Sequence, residues 1–232
     1  MIEFDPKQDT TKYAVEVTNL CMRFGPDTVV KDVSCQFEQR QIHGIVGRNG
    51  SGKTVLMKCI CGFLRPTTGQ ARVFGRVIGK EADFAPDTGM LIESPGFLPN
   101  ETGVNNLLWL ARLSGIKGRE RVKECIRLVG LDSSLNKGVG KYSMGMRQRL
   151  GIAQALLGDP SLLILDEPTN GLDKQGVADI RALLLSLKAQ GKTILLASHN
   201  PLDISELCDS VREMDGGVMS TLYEGMAIHS VS

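Results

Sequence analysis

Hydrophobic and polar residues alternate in the first part of the chain. Tyr13–Val17 and Val33–Phe37 change between apolar and polar at nearly every position, and Gln41–Val46 extends the pattern. A period of two is typical of β-strands with one buried face. After Gly52 the apolar spacing becomes helical over about 53–63. This part of the chain therefore predicts strands followed by one helix.

The middle of the chain has mostly helical spacing. Short strands are predicted over 71–74 and 89–92. From about 104 to 129 apolar residues recur at every third or fourth position, and a further helix is predicted over about 144–157. The segment 94–158 is therefore predicted to be helical.

Two continuous apolar runs lie in the last third of the chain, at Leu162–Leu165 and Thr193–Ala197. Short apolar runs between turns suit strands that are buried on both faces of a parallel sheet. The helix predicted between them, over about 176–190, completes a strand–helix–strand unit. The pattern predicts one α/β unit with an inserted helical lobe, rather than two independent domains.

Composition and charge exclude several classes of protein. The 232 residues are 42% hydrophobic and 23% charged, values of a globular chain and not of a disordered or collagen-like one. The net charge of +1 argues against a nucleic-acid partner. The N-terminus is polar and acidic, unlike a signal peptide, and six scattered cysteines without a CxxC pair predict reduced thiols. We therefore expect a cytoplasmic protein without a membrane-spanning segment.

Residues 47–54 form a phosphate-binding motif. The pattern G-x-x-x-x-G-K-[ST] is matched in full by Gly47, Arg48, Asn49, Gly50, Ser51, Gly52, Lys53 and Thr54. Such a loop surrounds β- and γ-phosphates with backbone N–H groups, and the following helix adds partial positive charge. Lys53 is expected to reach the phosphate oxygens, and the Thr54 hydroxyl to bind Mg²⁺. A glycine-rich turn without a ligand is the less favoured alternative.

Two carboxylates, Asp166 and Glu167, end the apolar run at 162–165. A strand end beside a phosphate loop places Asp166 near the metal ion. By strand alternation Glu167 is expected to point the other way, where it could polarise a water that attacks the γ-phosphate. Alone, two such acids would more often form a solvated turn, and the phosphate loop is what favours the functional interpretation.

A third motif lies between these two, at Tyr142-Ser143-Met144-Gly145-Met146. In this order the three motifs resemble the ATP-binding cassette family, the ATPase subunits of membrane transporters, over about 13–217. Ser143 and Gly145 match the family's signature motif, which contacts the γ-phosphate held by the opposite subunit. The other three residues depart from it, and the Y-S-[LM]-G-M form resembles bacterial exporters of peptide antibiotics, bacteriocins and drugs.

The resemblance implies roles for five further residues. His199 resembles the switch histidine that contacts the γ-phosphate, and Asp173 lies in the loop that couples the two active sites. Phe24 occupies the position of an aromatic that stacks on adenine. Glu93 replaces the usual glutamine and is expected to ligate Mg²⁺. Val55 replaces a common second hydroxyl, which predicts looser nucleotide binding.

The resemblance also implies the fold. We expect an α/β P-loop NTPase core with a parallel sheet flanked by helices, an N-terminal antiparallel β subdomain and an inserted α-helical subdomain. The chain would form a single domain over 1–232. Its core lobe would cover 13–93 and 159–220, and its helical lobe 94–158.

The implied function is ATP hydrolysis coupled to transport. Two copies would bind two ATP-Mg²⁺ at a head-to-tail interface, with Glu167 orienting water and with Lys53 and His199 stabilising the phosphoryl charge. They would drive transmembrane permease subunits at the inner face of the cell membrane, through a contact near 93–106. The cargo is not encoded in this chain, since specificity belongs to the permease.

Two alternatives remain open. A non-transport ATPase of the same superfamily, acting in DNA repair or translation, would carry a long coiled-coil insertion or two cassettes, and neither is visible. A binding module that has lost catalysis would be expected to lack Glu167 or His199, and both are present.

Overall fold

The computed structural model describes residues 11–93, 96–116 and 118–224. The strands are β1 (Tyr13–Phe24), β2 (Asp27–Glu38), β3 (Ile42–Val46), β4 (Thr68–Val73), β5 (Arg76–Val77), β6 (Thr88–Leu91), β7 (Leu162–Asp166), β8 (Thr193–Ala197), β9 (Ser210–Asp215) and β10 (Val218–Glu224). The α-helices are α1 (Lys53–Cys61), α2 (Gly103–Leu113), α3 (Arg119–Leu128), α4 (Met144–Ala155), α5 (Lys174–Ala189) and α6 (Pro201–Leu207). None of the helices in these ranges has the length and apolar character needed to cross a membrane.

The strands form two sheets. An antiparallel sheet has the order β2-β1-β4-β5, and a six-stranded sheet has the order β10-β9-β3-β8-β7-β6. From β9 to β6 all neighbours in the larger sheet are parallel, and β10 is antiparallel to β9. The predicted α/β class, with a parallel sheet and an N-terminal antiparallel sheet, is confirmed.

The parallel sheet separates two hydrophobic cores. In β7, Leu163 and Leu165 pack in a core with α2, α3, α4 and α5, whereas Leu162 and Ile164 belong to a second core with α1 and the antiparallel sheet. All four side chains are at most 1% exposed. The prediction that this strand is buried on both faces is therefore confirmed. Between β6 and β7 the described residues form helices and no strands, while the exact limits of the lobes stay a prediction.

Several elements differ from those expected from the pattern. β1 and β2 each have 12 residues because they continue through irregular pairing, with Asn19 and Asp32 at φ 46° and 51°. Such left-handed residues break the two-residue period that sequence reasoning depends on. Helix α6 and the β9–β10 hairpin were not predicted, although Gly216 and Gly217 are a recognisable turn signal between the two strands.

All six cysteines lie among the described residues and are free. Burial raises the pKa of Cys35, Cys61 and Cys208 to about 12 and that of Cys59 to about 11. At neutral pH these thiols are protonated and act as small apolar core residues.

A close contact between β6 and α4 gives a stability prediction. A β-carbon at Gly89 would lie 1.9 Å from the Ala155 carbonyl oxygen, so Gly89→Ala forces the strand and the helix apart. We expect a loss of roughly 1–3 kcal/mol in the free energy of unfolding, measured by urea denaturation. Gly158→Ala is the control, because its nearest neighbour atom would be 3.7 Å away. Equal stability of the two variants would contradict the close contact.

Candidate nucleotide-binding site

The phosphate-binding loop joins β3 to α1, as the motif predicts. Gly47, Gly50 and Gly52 have φ angles of 147°, 80° and 105°, which favour glycine. A β-carbon at Gly47 would also lie 2.1 Å from the Met214 carbonyl oxygen. The loop therefore has its conformation because glycines occupy these positions, against β9 on one side.

Lys53 is the first residue of α1 and its side chain turns back into the loop. Its Nζ donates to the carbonyl oxygens of Gly47, at 2.7 Å, and Arg48, at 3.1 Å. The residue is 7% exposed. The cation is thus held at the loop, where a phosphate could exchange for these carbonyl oxygens.

The loop opens into a cavity of about 500 Å³, called here the phosphate-loop cavity. Its wall consists of Val29, the loop residues 49–55, Glu93, Met144, Gln148, Asp166, Glu167 and Asn170. The structure therefore brings together most of the predicted phosphate and metal residues. Gln148 was not predicted to contribute, and its Nε2 donates to the Glu167 carbonyl oxygen at 2.8 Å.

Thr54 and Asp166 form a pair that suits a divalent cation. The Thr54 hydroxyl donates to Asp166 Oδ2 at 2.6 Å, from the start of α1 to the end of β7. In the described ranges no group of three or more His, Cys, Asp or Glu side chains could hold a metal ion. A cation here would need oxygens from the nucleotide, as Mg²⁺ sites commonly do.

The buried Ser51 hydroxyl also fits a bound ligand. Its Oγ has no hydrogen-bond partner within the part of the chain that the structure describes, and the residue is 5% exposed. A buried hydroxyl without a partner is unfavourable, and a bound phosphate could satisfy it. The residues present therefore fit both a nucleotide and Mg²⁺.

Glu167 lies just beyond β7, and its own backbone conformation sets the direction of its side chain. Its φ is 52°, in the left-handed region, and its N–H donates to the Ala197 carbonyl oxygen at 2.9 Å. Its Oε2 lies 2.8 Å from His199 Nδ1. Strand alternation, on which the expected direction of Glu167 depended, does not apply here, because β7 ends at Asp166 and Glu167 has a left-handed backbone. Both residues line the same cavity.

Glu93 follows β6 and forms an ion pair that the sequence did not reveal. Its Oε1 lies 2.6 Å from Lys58 Nζ on α1, and its side chain is 62% exposed. Lys58 lies 35 residues away along the chain, so no local motif signals the pair. Glu93 is at the cavity wall, and its negative charge is offset by Lys58.

Replacing Lys58 by glutamine should weaken ATP binding. In the variant, the negative charge of Glu93 is no longer compensated beside the expected triphosphate. Loss of an exposed ion pair of this kind predicts a KM for ATP that is roughly two- to fivefold higher. The additional change Glu93→Gln should restore the KM. Initial rates at low and high salt would test this, since screening should shrink the effect. A KM unchanged at low salt would contradict it.

Ser143 is exposed and Gly145 is half-buried at the start of α4. Neither lines the phosphate-loop cavity, although Met144 between them does. Ser143 Oγ caps the helix by accepting from the Met146 N–H at 3.2 Å. A β-carbon at Gly145 would lie 2.9 Å from the Gly171 carbonyl oxygen. The start of α4 is therefore packed against the loop that follows Glu167.

The remaining predicted residues differ in their relation to the cavity. Asp173 caps α5 through Oδ1, which accepts from the Gly176 N–H at 2.8 Å. Phe24 ends β1 and is 47% exposed, and it is not among the described residues that line the cavity. Val55 does line it, whereas His199 is connected to it through Glu167.

Comparison with known proteins identifies this arrangement. The family model described as ABC transporter matches residues 30–170. The chain belongs to the ABC transporter family. As such it is an ATP-binding cassette, the subunit that hydrolyses ATP to drive a membrane transporter.

Curated relatives cover most of the cassette. It is 39% identical to the ABC transporter ATP-binding protein YybJ of Bacillus subtilis, over 89% of this chain and 95% of that protein. It is 41% identical to the bacitracin transport ATP-binding protein BcrA of Bacillus licheniformis, over 85% of this chain and 65% of BcrA. The lantibiotic transport ATP-binding protein SrtF of Streptococcus pyogenes is 31% identical, over 92% of this chain and 89% of SrtF.

Solved structures confirm the P-loop NTPase fold of the cassette. A dimeric post-hydrolysis state of the ATP-binding cassette MJ0796, bound to ADP and Pi, matches with a TM-score of 0.80 at 22% identity, over 90% of this chain and 99% of that one. An ATP-binding subunit of an ABC transporter matches with a TM-score of 0.80 at 27% identity, over 90% of each chain.

Proposed function

We propose that two copies of the cassette close head to tail around two ATP-Mg²⁺ and drive a permease that exports a peptide antibiotic or a related drug. The observation that carries the proposal is the separation of the site into two surfaces. The phosphate loop, Asp166 and Glu167 line the cavity together with Met144 and Gln148 of α4, whereas Ser143 and Gly145 at the start of the same helix are not among its wall residues, and Ser143 is exposed. The amides at a helix N-terminus favour an anion, such as the γ-phosphate of the partner's ATP.

The residues of the phosphate-loop cavity then have separate tasks. The loop amides and Lys53 would bind the phosphates, and Thr54, Asp166 and Glu93 would hold Mg²⁺. When bound, Mg²⁺ would neutralise charge on the phosphate oxygens. Glu167 would orient the attacking water and accept its proton, and His199, hydrogen-bonded to Glu167, would stabilise the phosphoryl charge.

Export of a peptide antibiotic is supported by two lines of observation. The relatives include proteins named for bacitracin transport and for lantibiotic transport. The form of the motif at 142–146 and the acidic residue Glu93 resemble the same branch of exporters. The proposed partners do not include a nucleic acid.

The permease contact is proposed over 93–106. Ser94 and Pro95 lie outside the described residues. Leu98 is 55% exposed. The buried Asn106 side chain fixes its backbone, since Asn106 accepts from the Leu98 N–H at 2.8 Å and donates to the Leu98 carbonyl oxygen at 3.1 Å. An exposed apolar tip on a fixed loop suits binding to a partner, and this contact would place the cassette at the inner face of the cell membrane.

A mixing experiment tests the head-to-tail site. Ser143→Asp keeps a helix cap, since aspartate caps as well as serine, but opposes the γ-phosphate with a negative charge. Each of Ser143→Asp and Lys53→Ala should be inactive alone. Mixed together, they should regain ATPase activity, because a mixed dimer contains one site that is intact on both sides. A mixture no faster than the mean of its components would contradict a shared site. Ser143→Asn, a neutral cap, is the control.

The cargo is tested separately in the native host. Deleting the gene should lower the inhibitory concentration of bacitracin or of a lantibiotic, and wild type but not Lys53→Ala should restore it. Unchanged resistance to both would contradict the proposed cargo while leaving the ATPase assignment intact. Sensitivity to ultraviolet light instead would favour the DNA-repair alternative.

A further inference from the structure

A fully buried carboxylate is bonded to the two loops that carry Glu167 and His199. Asp203 of α6 is 0% exposed. Its Oδ2 accepts from the Thr169 hydroxyl at 2.7 Å and from the Ser198 hydroxyl at 2.9 Å. Its Oδ1 accepts from Arg181 Nε at 2.7 Å and lies 2.7 Å from Nη2 of the same guanidinium. A buried charge needs this degree of pairing, so the site is a defined network and not a chance contact.

The two hydroxyls belong to the loops that carry Glu167 and His199. Thr169 follows Glu167 by two residues, and Ser198 directly precedes His199. Both are buried, at 8% and 0% exposure. One oxygen atom of Asp203 therefore joins the two loops, whose Glu167 and His199 contact each other through Oε2 and Nδ1.

The direction of the Ser198 hydrogen bond is determined by its neighbour. Ser198 Oγ accepts from the Asn200 N–H at 3.1 Å, so its proton is available to Asp203. This orients the turn that carries His199, whose side chain is 69% exposed and thus has little packing to hold it. Arg181 on α5 also pairs with Glu206 of α6 at 3.0 Å, which fixes the carboxylate from its other side.

We propose that Asp203 is a positioning residue for ATP hydrolysis. Through Thr169 and Ser198 it holds Glu167 and His199 in the geometry that the reaction requires. The inference rests on the proposed roles of Glu167 and His199. It goes beyond those roles, because Asp203 itself lies outside the residues that line the phosphate-loop cavity.

Conservative variants of the two hydroxyls test the inference without unpairing the buried charges of Asp203 and Arg181. Thr169→Val and Ser198→Ala each remove one bond to Asp203. Loss of alignment should lower kcat by roughly 10- to 100-fold, while the KM for ATP changes by less than about twofold, since the phosphate loop is untouched. Asp203→Asn should have the larger effect, and the hydroxyl variants keep the test valid if that variant fails to fold.

Matched controls separate positioning from stability. Thr193→Val removes a buried threonine hydroxyl that accepts from the Arg40 N–H, at the opposite end of β8. Ser210→Ala removes a buried serine hydroxyl bonded to His43 Nδ1. Both should lower the thermal midpoint to a similar extent and leave kcat unchanged. A similar fall in kcat in the controls, or a loss of stability alone in the test variants, would overturn the inference.

A spectroscopic readout is independent of catalysis. In protein with ¹⁵N-labelled histidine, the His199 Nδ1 resonance, assigned with His199→Gln, should move in Thr169→Val and Ser198→Ala. It should stay in place in Ser210→Ala, where the His43 resonance moves instead. A His199 resonance unchanged in both test variants overturns the inference whatever the rates show. If Glu167→Gln keeps full activity, the proposed role of Glu167 fails by itself, and this shift still decides the positioning role of Asp203.

Discussion

Replacing Glu167 by glutamine should nearly abolish ATP hydrolysis while ATP binding persists. The amide has the same shape and can keep the contact with His199 Nδ1, now 2.8 Å from Oε2, but it cannot accept a proton from water. Loss of a general base predicts a decrease in kcat of at least about 100-fold. Because the phosphate loop and the Thr54–Asp166 pair are unchanged, the affinity for ATP should remain close to that of the wild type.

The same variant should accumulate as a dimer. With hydrolysis blocked, the γ-phosphate continues to join the two surfaces, so light scattering after gel filtration should show a dimer with ATP-Mg²⁺ and a monomer without nucleotide. Lys53→Ala should not form this dimer. Glu124→Gln, which changes a surface carboxylate paired with Arg121 on α3, should behave as wild type. Wild-type turnover in Glu167→Gln would show that another group activates the water.

The meeting of Thr54 and Asp166 could be predicted from the sequence although they are 112 residues apart. The phosphate loop that leads to Thr54 follows one short apolar run, and Asp166 ends the other; those runs became β3 and β7 of one parallel sheet, on either side of β8. Parallel strands end at the same edge of a sheet, so the loop after β3 and the last residue of β7 converge there. The motif and the sheet topology therefore predict the same contact, between Thr54 and Asp166.

The direction of Glu167 could not be predicted in this way. The two-residue period of a strand applies only while the strand continues, and β7 ends at Asp166. The left-handed backbone at Glu167 is held by its N–H bond to the Ala197 carbonyl oxygen, a contact with the next strand. Conformations of this kind depend on tertiary contacts, and they concentrate at functional sites.

The Asp203 network is the clearest example of what pattern analysis misses. Its four side chains come from α5, α6 and the two loops, and each is an ordinary polar residue in the sequence. Helix α6 has seven residues, too few for a helical period to stand out. The network is recognised only when burial and hydrogen bonds are known, whereas the β9–β10 turn was present in the sequence as Gly216-Gly217.

Replacing Asp166 by asparagine should raise the Mg²⁺ concentration needed for half-maximal hydrolysis. The amide oxygen can still face the cation, but a full negative charge is lost beside Thr54. For a group that holds the metal directly or through water, we expect a loss of affinity of roughly 10- to 100-fold. At saturating Mg²⁺ part of the rate should return, which distinguishes a metal-holding role from one in proton transfer.

Titrating Mg²⁺ at a fixed, saturating ATP concentration measures this effect. Thr54→Ser keeps the hydroxyl and should titrate as wild type, whereas Thr54→Val should resemble Asp166→Asn. Asp132→Asn is a charge-matched control, since Asp132 accepts from the Ser134 N–H and hydroxyl in a loop that does not line the cavity. If Asp166→Asn lowers kcat at all Mg²⁺ concentrations without moving the midpoint, Asp166 orients the reaction and does not hold the ion. The close contact between Thr54 and Asp166 would then serve to hold the end of β7 against α1.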